Sequence, residues 1–231
     1  MKHLQAQLLV LLMISSALSQ ANAASYSVSG YLYSVDAGIR GEFSVGENFL
    51  LTYEFDPLAI DVNSNIYRGE YYTVNGVANL TIGNYQVSAH GVHINVTDNL
   101  VGSNLSDIYR ASSIRNSKQQ SVFTGDEVAE LVPYYWGIEL FDTQSMVFSS
   151  DSLPSGQLDL SAFDSRNIDR RLELNFASEV TPIVAYGVQM VYGYVTHISA
   201  VPEPQSVWLW GVGVLALIGA IRVNKNSMGR A

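Results

Sequence analysis

The chain has 231 residues, 48% of them hydrophobic and 14% charged, with no cysteine and a formal net charge of −9. This length suits one domain with terminal appendages. The missing cysteines exclude a disulfide scaffold, thiolate metal sites and cysteine catalysis, and twelve basic residues against twenty-one acidic ones exclude the basic face that a nucleic-acid binder requires.

Residues 1–23 read as a secretory signal peptide. Lys2 and His3 form a short basic start, Leu8 to Ile14 is an unbroken apolar run, and Ala21-Asn22-Ala23 supplies the small-x-small pattern that signal peptidase cuts. The apolar run is too short to span a bilayer, which takes about 20 residues.

From residue 24 to 200 the chain reads as one β-rich exported domain. Period-two alternation marks strands at Ser25–Val35 and Phe49–Phe55, the second with Leu51, Tyr53 and Phe55 on one face. Glu70–Val74 and Val77–Ile82 flank Asn75-Gly76, which predicts a type I′ hairpin. Gly83-Asn84 predicts a second hairpin into Tyr85-Gln86-Val87, continued by Val92, Ile94 and Val96. Further strands are expected at Tyr134–Phe141, Arg171–Phe176 and Tyr186–Ser199, with one short turn of helix at Asp126–Leu131 and a long loop at Ser149–Gly156. Short strands with frequent Gly/Asn turns predict an all-β fold, an antiparallel β-sandwich or jelly roll. The body to Val201 carries eight Lys+Arg against twenty Asp+Glu, a net of −12 with His neutral. Such a surface favours solubility.

Residues 201–231 form a second distinct segment. Val201-Pro202-Glu203-Pro204 opens it; the two prolines fix φ and remove donors, which predicts an extended segment outside any sheet. Residues 205–221 predict a single transmembrane helix. Its core, Val207 to Ile221, is fifteen residues without a charge, and Trp208 and Trp210 sit at one end, where indoles favour the lipid–water interface. Arg222, Lys225 and Arg230 follow with no acidic residue among them, so the 222–231 tail is expected to stay cytoplasmic. A plain single-span anchor has the same hydropathy and charge order.

This ordering resembles the PEP-CTERM sorting signal: a Pro-Glu-Pro motif, a short spanning helix and a basic cluster at the extreme C-terminus. Pro202, Glu203 and Pro204 match the motif residue by residue. The basic residues here are spread out, where the family often has adjacent arginines. The resemblance implies recognition of the tail by a membrane-bound exosortase, processing near the motif, and release or re-attachment at the cell surface or in the extracellular matrix of bacteria that make exopolysaccharide. Gly41–Glu47 leading into Leu51–Asp56, Leu80–Tyr85 and Leu158–Phe163 also resemble β-rich bodies attached to this signal. The expected partners are the Sec machinery and signal peptidase, exosortase, the inner membrane and exopolysaccharide.

The body offers several weaker signals. His90 and His93 form an H-x-x-H, which a regular strand places on opposite faces; only a bend at Gly91 brings both onto the polar side. Asp61-Val62-Asn63-Ser64-Asn65 resembles the start of a calcium loop, but position six is Ile66 and position twelve Tyr72. The alternative is an Asx-rich turn after Pro57. No nucleophile elbow surrounds a serine, and His90, His93 and His197 lack triad context. Asn79, Asn95 and Asn104 begin glycosylation tripeptides, read here as chance matches. Tyr71, Tyr72, Tyr134, Tyr135 and Trp136 are candidates for a sugar-stacking surface, or ordinary strand residues. The sequence therefore predicts a non-enzymatic exported protein without catalytic residues, metal or cofactor, with a secreted carbohydrate-binding module as the alternative.

Overall fold

The computed structural model describes residues 24–99, 106–115, 121–154, 157–180 and 185–201. The predicted signal peptide with Ala21 and Ala23, the predicted sorting motif from Pro202 onward, Trp208, Trp210, Arg222, Lys225, Arg230 and Asn104 lie outside the described residues.

The strands are β1 (Ala24–Val35), β2 (Asn48–Phe55), β3 (Arg68–Ile82), β4 (Tyr85–Thr97), β5 (Asp107–Ile114), β6 (Val122–Gly125), β7 (Val132–Asp142), β8 (Arg170–Ala177), β9 (Glu179–Val180), β10 (Ala185–Tyr186) and β11 (Gln189–Val201). Eight of them pair in the cyclic order β1, β2, β3, β4, β5, β7, β8, β11, and β11 returns to β1. Every pairing is antiparallel. The fold is thus all-β and antiparallel, as expected, but it is a closed up-and-down barrel and not a sandwich or jelly roll. The eight strands follow one another around the barrel in chain order and pairing of the last with the first closes the ring, while β6 pairs beside it with β4 and β2 covers only residues 78–82 of β3.

Alternation along each strand explains the closure. Phe49, Leu51, Tyr53 and Phe55 of β2 point inward while the residues between them face out. Eight strands leave an interior just wide enough for side chains to fill. Tyr53 from β2 meets Trp136 of β7 across the barrel, with ring centroids 6.0 Å apart. The hydroxyls of Tyr53 and Tyr109 share a 2.9 Å hydrogen bond in the same buried layer. Desolvation raises both phenols well above their ordinary value. Ionised residues such as Arg110, Glu139 and Arg171 face outward. This apolar-in, polar-out pattern is the reverse of a lipid-embedded barrel.

Several turns differ from expectation. Asn75-Gly76 makes no hairpin: β3 runs straight through it, neither residue has positive φ, and the register shifts between Thr73 and Val77 as in a bulge. Gly76 is needed for close packing, since a Cβ there would lie 2.6 Å from the Glu54 carbonyl oxygen. The expected turn at Gly83-Asn84 is present, with Gly83 at φ +55° joining Ile82 to Tyr85. The short helix expected at Asp126–Leu131 is instead a tight turn. Val128 and Leu131 exchange two backbone hydrogen bonds, and Ala129 and Glu130 both have positive φ, the requirement of type I′. The strand expected to begin at Tyr186 begins at Gln189, after Gly187 at φ +59°. Val201, expected to stand outside the sheet, is the last residue of β11 and pairs with Ser25. The next residue, Pro202, has no N–H to donate.

The barrel has two unlike ends. The near end carries residues 24 and 201 and the β2–β3, β4–β5 and β7–β8 connections; the far end carries the β1–β2 and β3–β4 connections. At the far end Ile39 and Phe43 plug the opening, and Phe43 packs on Phe176 and edge-on to Tyr85. At the near end buried carboxylates hold the long β7–β8 connection. Asp107 accepts hydrogen bonds from the backbone amides of Asn99, Val147 and Phe148 at 2.8–3.0 Å, and Asp142 accepts from those of Gln144 and Met146.

Candidate functional site

The residues predicted to carry chemistry fall into separate regions. His90 and His93 do share the outer face of β4, because Gly91 takes φ +81° and inserts a bend, leaving Ala89 and Val92 turned inward. His93 stacks on Tyr72 with centroids 4.4 Å apart. Burial holds its pKa below the ordinary histidine value, against the raising effect of Glu70. Among the described residues no three His, Asp or Glu side chains converge as metal ligands. His197 lies on β11, which β3, β2 and β1 separate from β4.

The calcium-like segment has a different use. Asp61 Oδ1 accepts hydrogen bonds from the amides of Asn63 and Glu70, each at 2.8 Å; Asn63 caps Asn65, and Asn65 caps Tyr67, at 3.0 Å. The alternating oxygens are thus spent on Asx turns, as an Asx-rich turn after Pro57 implies. The loop also protects the sheet. β2 pairs only with residues 78–82 of β3, and the Val62 amide donates to the Glu70 carbonyl along the exposed half.

Of the five proposed sugar-stacking residues, Tyr71 and Trp136 point into the barrel and are buried core. Tyr72, Tyr134 and Tyr135 are half-buried on the strands. Tyr135 lies over Gly137, and burial, reinforced by the Glu173 carboxylate, raises its pKa to about 12. Asn95, a tripeptide asparagine, is buried and donates to the Gly69 carbonyl at 3.2 Å.

A different aromatic surface stands on β1 and β11. Tyr31 and Tyr194 lie 5.7 Å apart and Tyr33 and Tyr192 6.1 Å apart, all on the outer face. The Arg171 guanidinium sits over the Tyr192 ring at 5.9 Å. Arg171 and Arg110 both bind the Glu139 carboxylate, which is nearly buried between them on β7. Glu173 takes a 2.7 Å hydrogen bond from Asn175. The result is a row of rings beside an ionic belt whose charges largely cancel. Burial raises the phenol pKa of Tyr33 and Tyr192. Sequence reasoning passed over this row although the signal was present: Tyr31-Leu32-Tyr33 and Tyr192-Gly193-Tyr194 place tyrosines on the face opposite Val28, Leu32, Val191 and Val195.

A cleft of about 500 Å³ lies under the near-end connection, lined by Ser149, Ser150, Ser152, Gln157, Asp159 and apolar neighbours. No histidine lines it. Comparison with known proteins found no matching family model, curated protein or solved structure.

Proposed function

We propose that this chain is an exported, non-enzymatic surface or matrix protein. A signal peptide starts its export, and residues 201–231 act as a sorting tail processed by exosortase. The observation that carries this reading is the pairing of Ser25 with Val201. The barrel closes between residues 24 and 201, and its core among the described residues runs from Tyr26 to Ile198. Residues 24 and 201, where the first predicted segment ends and the second begins, stand at the same end of the barrel. Separation of His90 and His93 from His197, and a lumen filled by Tyr53, Tyr109 and Trp136, support the non-enzymatic reading.

The test is co-expression with and without the cognate exosortase, reading the C-terminal mass of the mature protein. Loss of residues near the Pro202–Pro204 motif only when the enzyme is present supports the reading. An intact Arg222–Ala231 tail in both cases removes it. Replacing Arg222, Lys225 and Arg230 by Glu is expected to impair orientation or retention.

A second reading, carbohydrate binding by the body, is favoured by the outer row of Tyr31, Tyr33, Tyr192 and Tyr194. The exposed Tyr31 and half-buried Tyr33, Tyr192 and Tyr194 rings offer apolar faces to sugar C–H groups, and the adjoining Arg–Glu belt offers hydrogen bonds without excess charge. A polysaccharide pull-down checks it. Tyr33→Ala with Tyr194→Ala is expected to weaken retention several-fold; unchanged retention, or none by the parent protein, counts against it.

A further inference from the structure

We propose that the near end of the barrel rests on the lipid bilayer and that the β2–β3 loop dips its apolar side chains into the interface. This rests on the reading of residues 205–221 as a membrane span and adds a second, independent contact with lipid.

The loop is unusual in what it exposes. Leu58 is 74% exposed, Ile60 82% and Ile66 76%, with Val62 at 61%. Such a run of aliphatic side chains in water is costly on one small surface. Met146 and Ile168, at 80% and 57%, extend the apolar surface from the β7–β8 connection at the same end. At the far end Val45 is a comparably exposed aliphatic side chain.

The loop's backbone is prepared for a medium of low polarity. Lipid tolerates apolar side chains but penalises unpaired amides. Here the amides of Leu58, Asn63, Asn65 and Tyr67 donate to Asp or Asn side chains, and that of Val62 donates to Glu70. The Asx turns thus pair part of the loop's backbone locally and leave Leu58, Ile60, Val62 and Ile66 outside, beside the exposed Ser64 and Asn65.

Chain length brings this end to the membrane. β11 ends at Val201, and the uncharged run begins at Val207. The five residues between them, six Cα–Cα steps, reach at most about 22 Å when fully extended. Because Ala24 pairs with Phe55 and Ser25 with Val201, the loop after Phe55 leaves the barrel beside that tether. A bilayer is therefore the surface within reach. Shallow insertion of about 5–10 Å is the depth expected for an interfacial contact. The acidic body argues for a contact made by apolar groups and not by attraction to anionic lipid.

The chain has no cysteine, so single-site labelling is clean. The full chain bearing Ile60→Cys, Val45→Cys or Leu215→Cys, each spin-labelled, is reconstituted into phosphatidylcholine vesicles. Collision with lipid-soluble oxygen and with a water-soluble nickel chelate is then measured by paramagnetic resonance. The proposal expects the oxygen-to-nickel ratio at Ile60 to exceed that at Val45 several-fold, with Leu215 higher still. Equal, water-like ratios at Ile60 and Val45 with a lipid-like Leu215 overturn the proposal while leaving the anchor intact. A water-like Leu215 overturns both. Shielding of Ile60 from both reagents, with dipolar broadening between labels, means that a second copy covers the loop and also overturns it. Matching circular dichroism across the three variants checks the fold.

Discussion

The two ends of this barrel close the same cylinder by different chemistry. The far end is sealed by hydrophobic burial: Ile39 and Phe43 sit in the opening, with Tyr85 and Phe176 around them. The near end is sealed by long connections whose amides are gathered by Asp107 and Asp142, with Phe148 packed edge-on against Phe163 beneath. Apolar plugs are short and need little sequence. Carboxylate clamps permit long loops with exposed side chains, and those loops stand where the chain leaves for its predicted anchor. A barrel can thus keep one end closed for stability and offer the other to a surface.

The largest expected effect comes from breaking a clamp. Asp107→Ala leaves three half-buried amides without their acceptor and is expected to cost about 3 kcal/mol in urea unfolding. Amide exchange should rise at Val147 and Phe148 while the far end stays protected. The matching change at the far end, Ile39→Ala, is expected to cost about 2–5 kcal/mol through loss of burial and a residual cavity. Its exchange pattern should be the converse, loosening Phe43 and leaving Val147 slow. If both variants loosen the same amides, the ends are not independent and the comparison fails.

Alkali probes the interior that both ends enclose. Burial raises the Tyr26 phenol from 10.0 to about 12 and raises those of Tyr53, Tyr85 and Tyr109 as well. Above pH 10 the unfolded chain loses these protons while the folded barrel keeps them. The stability they provide is therefore complete below pH 10 and falls as pH rises toward and past 12. Tyrosinate absorbance should lag behind that of free tyrosine and then appear together with loss of near-ultraviolet circular dichroism. Early, gradual ionisation of all fourteen tyrosines would mean that the lumen admits water.

The smallest effect is expected at Ile60. Ile60→Ser at this exposed position should change stability by no more than about 0.5 kcal/mol, read as an unfolding midpoint in water. A loss comparable to that of Ile39→Ala would mean that the loop serves the core and not an outside surface.

Much of the strand pattern was legible in the sequence, because period-two alternation directly encodes which face is buried. Leu51, Tyr53 and Phe55 were assigned to one face, and that face is the lumen. Closure was not legible: pairing of β1 with β11 is a contact between residues such as Ser25 and Val201, and no local pattern records it. β5 was missed because Arg110, Ser112 and Ser113 dilute its alternation. Asn75-Gly76 misled because glycine serves close packing as well as turns, whereas the type I′ turn at Ala129-Glu130 has neither residue that the rule favours. Among candidate sites, the Asx alternative for Asp61–Asn65 was legible from composition, but its role in covering β3 was not. Tyr71 and Trp136 were grouped with outward tyrosines because aromatic content alone does not report parity along a strand. The outer tyrosine row does obey parity and was the readable signal that went unused.

The account stands on the body folding without its appendages. Residues 24–201 expressed alone should therefore unfold cooperatively, with the same urea midpoint and slope as the same body carrying residues 202–231 in detergent. A shortened chain that fails to fold, or unfolds at clearly lower urea, would place Val207–Ile221 inside the globule and contradict the reading of that segment as an address in lipid.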